Sequence, residues 1–444
     1  MDYILILIYT ILGTVIGGLL SMIPALHIFN VAGIVLLAWF AWPQLIPEVA
    51  LPAFFMSQLV AWSIINTIPS MFFGAPDEAA VFVVLPGQKY MMQGRGYEAA
   101  ILTGVGSLAA IIVMALLTPF CFYTLPAIVQ IRSQNLAWIL LLVVTYMIMS
   151  EWPKGTGLGR TKWEKFKWAW ANLVAGIGTM ALAGFMGFII LNRTLVPLEM
   201  SFQGIMPVFV GLFAVAIISR NLVSRQEVPP QYISSTIDCD HRLLAKGIFA
   251  GTIGGGIAAV TPAVTGGIGG IIAGAATGQR DDRIFVVSQG VSKVVYYVGA
   301  FLLFFVPTLM PKGGGIARGG MSIILKPIFT PYTFEEYFQI LAVMMISGAL
   351  AFLMMFPLTR WTIKLITCID YHHVLWIALG IIFAIVWGLT GWMGMFLMAV
   401  GTGIGLIPAF YHARLSNSMA LLLIWLALSM AGHGPAVLKF FHLD

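Results

Sequence analysis

Charged side chains are so sparse in this chain that each one set inside an apolar run is a candidate for chemistry. Asp77 and Glu78 lie between apolar runs and are flanked by Gly74, Pro76, Pro86 and Gly87. Lys293 sits in an otherwise apolar stretch, with Ser288, Gln289 and Ser292 at helical spacing before it. Ionisable groups inside a membrane are costly to place and mark substrate or ion paths. Asp77 therefore reads as lining a site, or as the N-cap of a turn lying in water. Lys293 reads as the counter-charge of an anion or of Asp77, or as a side chain that snorkels to an interface. A second group of polar residues gathers around two prolines: His27 and Asn30 follow Pro24, and Thr261 and Thr265 flank Pro262.

Other chemistries find no support. His372, His373, His433 and His442 sit at a loop end and near the C-terminus, where solvated or interfacial roles outweigh metal binding. The glycine-rich stretches 253–256 and 313–315 lack the Gly-Lys-Ser/Thr ending that cradles a nucleotide phosphate. There is no nucleophile elbow and no His-Glu-x-x-His helix, so no enzyme, metal site or cofactor is expected. Cys121, Cys239 and Cys368 lie far apart and read as packing residues.

The elements that must hold these groups follow from composition. Sixty per cent of the residues are apolar and 9% are charged, too few to cover a soluble globule of 444 residues. The solvent is lipid. A span needs about 20 apolar residues, which gives roughly ten to twelve crossings. Stretches such as Leu136 to Met149 are apolar on all sides, against the alternation of a barrel. The expected fold is an all-α polytopic integral membrane protein of the cell membrane. The net charge of +6 comes from basic residues in short loops, not from a nucleic-acid surface. The loops 152–167, with Lys154, Arg160, Lys162, Lys165 and Lys167, and 220–246, with Arg220, Arg225, Arg242 and Lys246, are expected in the cytoplasm. Segments 99–130 and 136–151 read as two spans, and 71–86 as a dip that returns to its own face. Counting back places the N-terminus outside, and the apolar run after Met1-Asp2 reads as the first span, not a removed signal.

Residues 13–28, GTVIGGLLSMIPALHI, and 251–266, GTIGGGIAAVTPAVTG, match at a constant offset at Gly13, Thr14, Gly17, Gly18, Pro24 and Ala25. SQLV at 57–60 echoes SQGV at 288–291. Two homologous halves, inverted if the N-terminus is outside, are a common plan for transporters. In each half, glycines allow close helix approach and the proline breaks the helix inside the membrane. Irregular backbone is tolerated there only inside protein or beside a water-filled cavity. Two half-helix N-termini meeting at the midplane would bind an anion with few charged side chains. The residues expected to line such a site are Thr14, Gly17, Pro24, His27, Asn30 and Asp77 from the first half, and Thr252, Gly255, Thr261, Pro262, Thr265, Ser288 and Lys293 from the second. GTGIGLIPAF at 401–410 repeats the composition and reads as packing. Residues 1–150 form the first repeat, 151–244 a connecting hairpin, and 245–444 the second repeat with C-terminal helices.

Together, GTVIGGLLSMIPALHIFNVAGIVLL, IPSMFFGAPDEAAVFVVLPGQ with QGRGYEA, and the glycine-rich break at 251–274 resemble the large membrane subunit of the tripartite tricarboxylate transporters, the TctA-like family, and its archaeal-type stand-alone branch in particular. The resemblance covers most of the chain. It implies a permease for organic anions such as di- or tricarboxylates, driven by Na+ or H+, with a small membrane subunit and a periplasmic binding protein as partners of bacterial members. The family has Pro-Gly at each break, where this chain has Pro24-Ala25 and Pro262-Ala263. That departure keeps open a relative repurposed as a structural or lipid-associated subunit of a larger complex. Apolar surface everywhere leaves a homodimer face indistinguishable from a face covered by membrane lipid.

Overall fold

The structure is a computed structural model that describes residues 3–43, 45–152, 159–197, 200, 203–224, 227–234, 236–278, 281–309 and 315–443. Lys154, Arg225 and part of the glycine stretch 313–315 lie outside the described residues. Every regular element described is helical. Among the described residues, ten helical segments are long and apolar enough to cross a membrane, or eleven if the bent pair Leu415–Met430 and Gly434–Phe440 forms one span. This fits the ten to twelve crossings expected.

Contacts divide the chain into two units, residues 1–131 with 227–374 and residues 132–226 with 375–444. In the first unit, α1 (Tyr3–Leu20) stops before Pro24, and α2 (Ile28–Ala41) runs back. Its return is marked by Tyr9, whose hydroxyl donates to the Leu45 carbonyl at 2.9 Å. Fourteen residues make α2 about 21 Å long, short of the ~30 Å hydrocarbon core, so α1 and α2 form a hairpin, and its tip is half-buried with Pro24 buried at the break. The chain then enters α3 (Leu51–Ile65), parallel to α1, followed by α4 (Thr67–Phe72), an irregular stretch over 73–80, and α5 (Val81–Met92).

α6 covers Gly96–Ser150 as one continuous helix that carries two apolar spans, as the sequence suggested, but without the break expected after 130. Nothing in the intervening IRSQNL is a proline or glycine, so a polar patch alone did not stop the helix. Its apolar portions are Gly96–Leu117 and Phe120–Ser150. In the second unit α6 is followed by α7 (Lys162–Asn192), which starts at a capping box of Thr161 and Glu164, and by α8 (Met206–Phe209) and α9 (Ala216–Ser224), joined by a π-helical turn.

The first unit resumes with a second hairpin, α10 (His241–Val260) and α11 (Gly266–Ala276), then α12 (Asp282–Phe305), α13 (Gly320–Leu325) and α14 (Phe334–Cys368). α15 (Tyr371–Phe410) bends at Gly391, at the boundary between the two segments read from sequence. α16 (Ala420–Met430) and α17 (Gly434–Phe440) end the chain. In the second unit, Gly401 and Gly405 press on Val208 and Leu212, so the 401–410 echo is a packing seam.

The repeat is visible in three dimensions. A Cβ on Gly17 would stand 2.7 Å from Gln58 Cα, and one on Gly255 would stand 2.7 Å from the Ser292 carbonyl oxygen. The glycines of α1 and α10 thus let each hairpin lie against its following long helix, α3 or α12. At the two tips, Ala25 and Ala263 have φ of 62° and 59°. Both stand in the left-handed region that costs a residue with a Cβ about 1–2 kcal/mol, so each break forms despite alanine and carries strain. Relieving that strain, less the entropy of glycine of about 0.5–1 kcal/mol, leaves a small net gain. Ala25→Gly or Ala263→Gly is therefore expected to raise the melting temperature in detergent, and Ala25→Val to lower it. Equal melting of the Gly and Val variants would show that the tips are unstrained.

Candidate functional site

α3 and α12 cross in opposite directions. The Trp62 and Tyr297 rings meet at 5.3 Å between centroids, and five residues further along the chain, at the start of α4, Thr67 meets Lys293, one turn earlier on α12. The long helices of the two repeats are therefore antiparallel, and both hairpin tips arrive at this crossing. At the first tip the Leu26 carbonyl accepts from Trp62 Nε1 at 3.4 Å. The His27 ring packs between Phe29 at 4.6 Å and Trp62 at 4.8 Å. Its Nδ1 accepts from the Phe29 N–H at 3.1 Å, which makes His27 the N-cap of α2. At the second tip Ser292 Oγ donates to the Gly266 carbonyl at 2.6 Å. Thr265 precedes the first turn of α11 and donates to the Glu78 carbonyl at 3.4 Å.

The irregular stretch 73–80 brings the acids in. Gly74 takes a φ of 63°, and Asp77 Oδ1 accepts from the Ala80 N–H at 2.6 Å, closing a turn. Asp77 thus caps a turn, as one reading of the sequence had it, but inside the protein. Its other oxygen, Oδ2, accepts from the Tyr297 hydroxyl at 3.0 Å. Glu78 Oε1 lies 3.0 Å from the same hydroxyl and 3.3 Å from His27 Nε2, and the hydroxyl lies 3.2 Å from that nitrogen. One phenol therefore holds two carboxylates and an imidazole. His27, Asp77 and Glu78 offer atoms within 4.8 Å of one another; the phenol oxygen lies within hydrogen-bond distance of all three, at its centre. Lys293 is 2% exposed, too deep to snorkel, and its Nζ donates to Thr67 Oγ1 at 2.6 Å.

Of the residues expected from sequence, His27, Asp77, Thr265 and Lys293 meet here, with Pro24, Thr261 and Pro262 in the breaks beside them and Asn30 buried in the first turn of α2. Thr14 and Thr252 lie earlier on their helices and donate to the carbonyls of Thr10 and Ile248. Gly17 and Gly255 are at the helix crossings, and Ser288 is buried on α12 with its hydroxyl on the Phe285 carbonyl. Tyr297, Thr67 and Trp62 did not stand out in the sequence, and Asp77 stood out ahead of Glu78. Gln58 and Gln289 were visible only in the SQLV and SQGV echo and in the spacing before Lys293, and were not among the residues expected to line the site. Both are buried, 0% and 3% exposed, and neither amide has a protein partner at its oxygen or its nitrogen. The SQLV and SQGV echo was the signal that could have found them. The Gln289 amide lies against Gly270 of α11, where a Cβ would come within 2.6 Å of it.

At one end of the first unit an ion pair of Lys89 with Asp282 joins the repeats, beside the more local pairs of Arg95 with Glu98 at 2.7 Å and of Arg283 with Asp238 at 3.1 Å and Asp281 at 2.8 Å. Hydrogen bonds from Arg283 hold the Asp281 carboxyl below the usual carboxylate range.

A sequence profile of the tripartite tricarboxylate transporter TctA family matches residues 7–420. The chain belongs to that family. It is a multi-pass protein of the cell membrane, in a family of transporters for tricarboxylate-type substrates. An uncharacterized protein of Methanocaldococcus jannaschii is 23% identical over 375 residues, 83% of each chain. No solved structure matches the chain.

The Lys293 and Thr67 pair gives a stability test. Thr67→Val leaves a buried ammonium without its acceptor, at a cost of about 1–3 kcal/mol. Lys293→Met added to Thr67→Val removes the stranded donor but also the positive charge beside Asp77, so the double variant is expected to melt lower than Thr67→Val alone. A double variant that melts no lower would show that Lys293 does not balance the acids.

Proposed function

We propose that this chain is a secondary carrier that moves organic anions, di- or tricarboxylates, across the membrane by alternating access, driven by an ion gradient. The observation that carries the reading is the meeting of two strained hairpin tips, one from each repeat, around a buried polar cluster. Buried breaks in spanning helices are how carriers of this kind build a site at membrane depth. The N-terminus of α11 begins Gly266-Gly267, and Thr265 before it makes no side-chain cap, so its first N–H groups and the positive end of its dipole suit a carboxylate. Gln58 and Gln289 sit at repeat-related positions and supply amide donors that no protein group uses. A small membrane subunit and a periplasmic binding protein, the partners of the tripartite systems, fit this reading.

The test is uptake of labelled succinate and citrate by proteoliposomes under imposed ion gradients. Gradient-dependent accumulation is expected. Folded protein that accumulates neither, across a wider panel of carboxylates, would turn the reading to a transporter-like structural subunit. The glutamines refine the test. Gln58→Leu and Gln289→Leu lose no protein hydrogen bond, so stability is expected to hold or rise. KM for the anion is expected to rise about tenfold, the effect of removing about 1.4 kcal/mol of binding. An unchanged KM in both variants would remove the glutamines from the substrate path.

A further inference from the structure

The cluster around Tyr297 has more contacts than hydrogens. His27 Nδ1 accepts a backbone N–H, so the hydrogen of the neutral ring is on Nε2. That hydrogen points to Glu78 Oε1 at 3.3 Å and the Tyr297 oxygen at 3.2 Å and serves both contacts. The phenol supplies one more hydrogen. It can be given to Asp77 Oδ2 or to Glu78 Oε1, and both lie at 3.0 Å. Whichever carboxylate it leaves faces the phenol oxygen across 3.0 Å with no hydrogen between them, and an ionised carboxylate only accepts. A single proton on that carboxyl completes the set.

The surrounding charges give this proton a consequence. The titratable and charged groups facing the cluster are His27 at the first tip, Lys293, Tyr296 and Tyr297 on α12, and Arg318, whose guanidinium donates to the Ala258 carbonyl at 3.2 Å and lies near Tyr296. Two carboxylates against Lys293 leave one net negative charge. With one proton added, the set is neutral and no longer repels an anion in its low-dielectric surroundings. Loss of the proton restores that repulsion. Proton and anion then promote each other's binding, and by linkage the effect is reciprocal.

We propose that Asp77 and Glu78 together hold one transported proton, bridged by the Tyr297 hydroxyl and oriented by His27, and that this proton accompanies the carboxylate. The proposal rests on the carrier reading above for its role in transport. The occupancy of the site by a proton stands on the hydrogen count alone.

Two experiments separate these parts. In sodium-free proteoliposomes with the membrane potential clamped and a pH dye inside, an inward proton gradient is expected to drive accumulation of labelled succinate or citrate together with acidification of the lumen. In Glu78→Gln and Asp77→Asn, the ratio of gradient-driven accumulation to exchange of internal for external label is expected to fall at least about tenfold, within the range of coupling between two sites. Accumulation that follows a sodium gradient without acidification overturns the proton proposal and leaves the carrier reading intact. Absence of both accumulation and exchange in folded wild-type protein overturns the carrier reading. The second experiment needs no transport: infrared difference spectroscopy of the purified protein across a pH step should show a buried carboxylic C=O band that Asp77→Asn with Glu78→Gln removes. A wild-type spectrum without that band overturns the proposal whatever the transport result.

Discussion

A peptide group in hydrocarbon has no water to bond with, and this constraint shapes the rest of the structure. A helix broken in the membrane leaves free N–H and C=O groups that cost several kcal/mol each in lipid. Both breaks are therefore enclosed by protein: Trp62 donates to Leu26 at the first, and Ser292 donates to Gly266 at the second. The enclosure demands that each hairpin lie close against its long helix. Gly17 and Gly255 make that approach fit, because a Cβ at either position would collide with backbone.

The same enclosure makes the charges expensive, so they arrive as a set. Asp77 and Glu78 are adjacent in the chain and would repel one another if left alone in a low dielectric. The phenol of Tyr297 and the ring of His27 contact them from two different repeats, and the ammonium of Lys293, bonded to Thr67, places a positive charge near Asp77. Removing one member strands the others, since an unpaired buried charge is far more costly than a missing pair. The cluster thus fixes how the repeats fit together while holding groups that can bind and release charge.

Much of this was legible in the sequence. The repeat, the prolines and the isolated charges pointed to two broken helices around an anion-friendly centre, because proline and glycine act locally and their effects survive tertiary context. The alanines at the breaks read as a departure from the Pro-Gly of the family; the fold nonetheless puts Ala25 and Ala263 into the left-handed region. Tyr297 could not be seen, since in VVYYVGAF it looks like any aromatic in an apolar span and its partner acids are 219 and 220 residues away. The two spans of α6 were legible, but the break placed after 130 was not there, because a polar patch resembles a loop when only hydropathy is considered, whereas helix continuity is set by backbone chemistry. Gln58 and Gln289 were visible as an echo, but nothing short of a structure showed their amides without partners.

Both units are assembled from two separated stretches of chain, so neither can close while the first half alone has been made. His27 and Asp77 leave the ribosome long before the helix that satisfies them, since Tyr297 follows Asp77 by 220 residues. At ordinary rates of synthesis this is a wait of about 10–40 s. During that interval an imidazole and two carboxyls are without their phenol and ammonium, and they must be sheltered by water or by the insertion machinery. Biogenesis of this chain is therefore most exposed midway through translation, before α12 emerges to claim them.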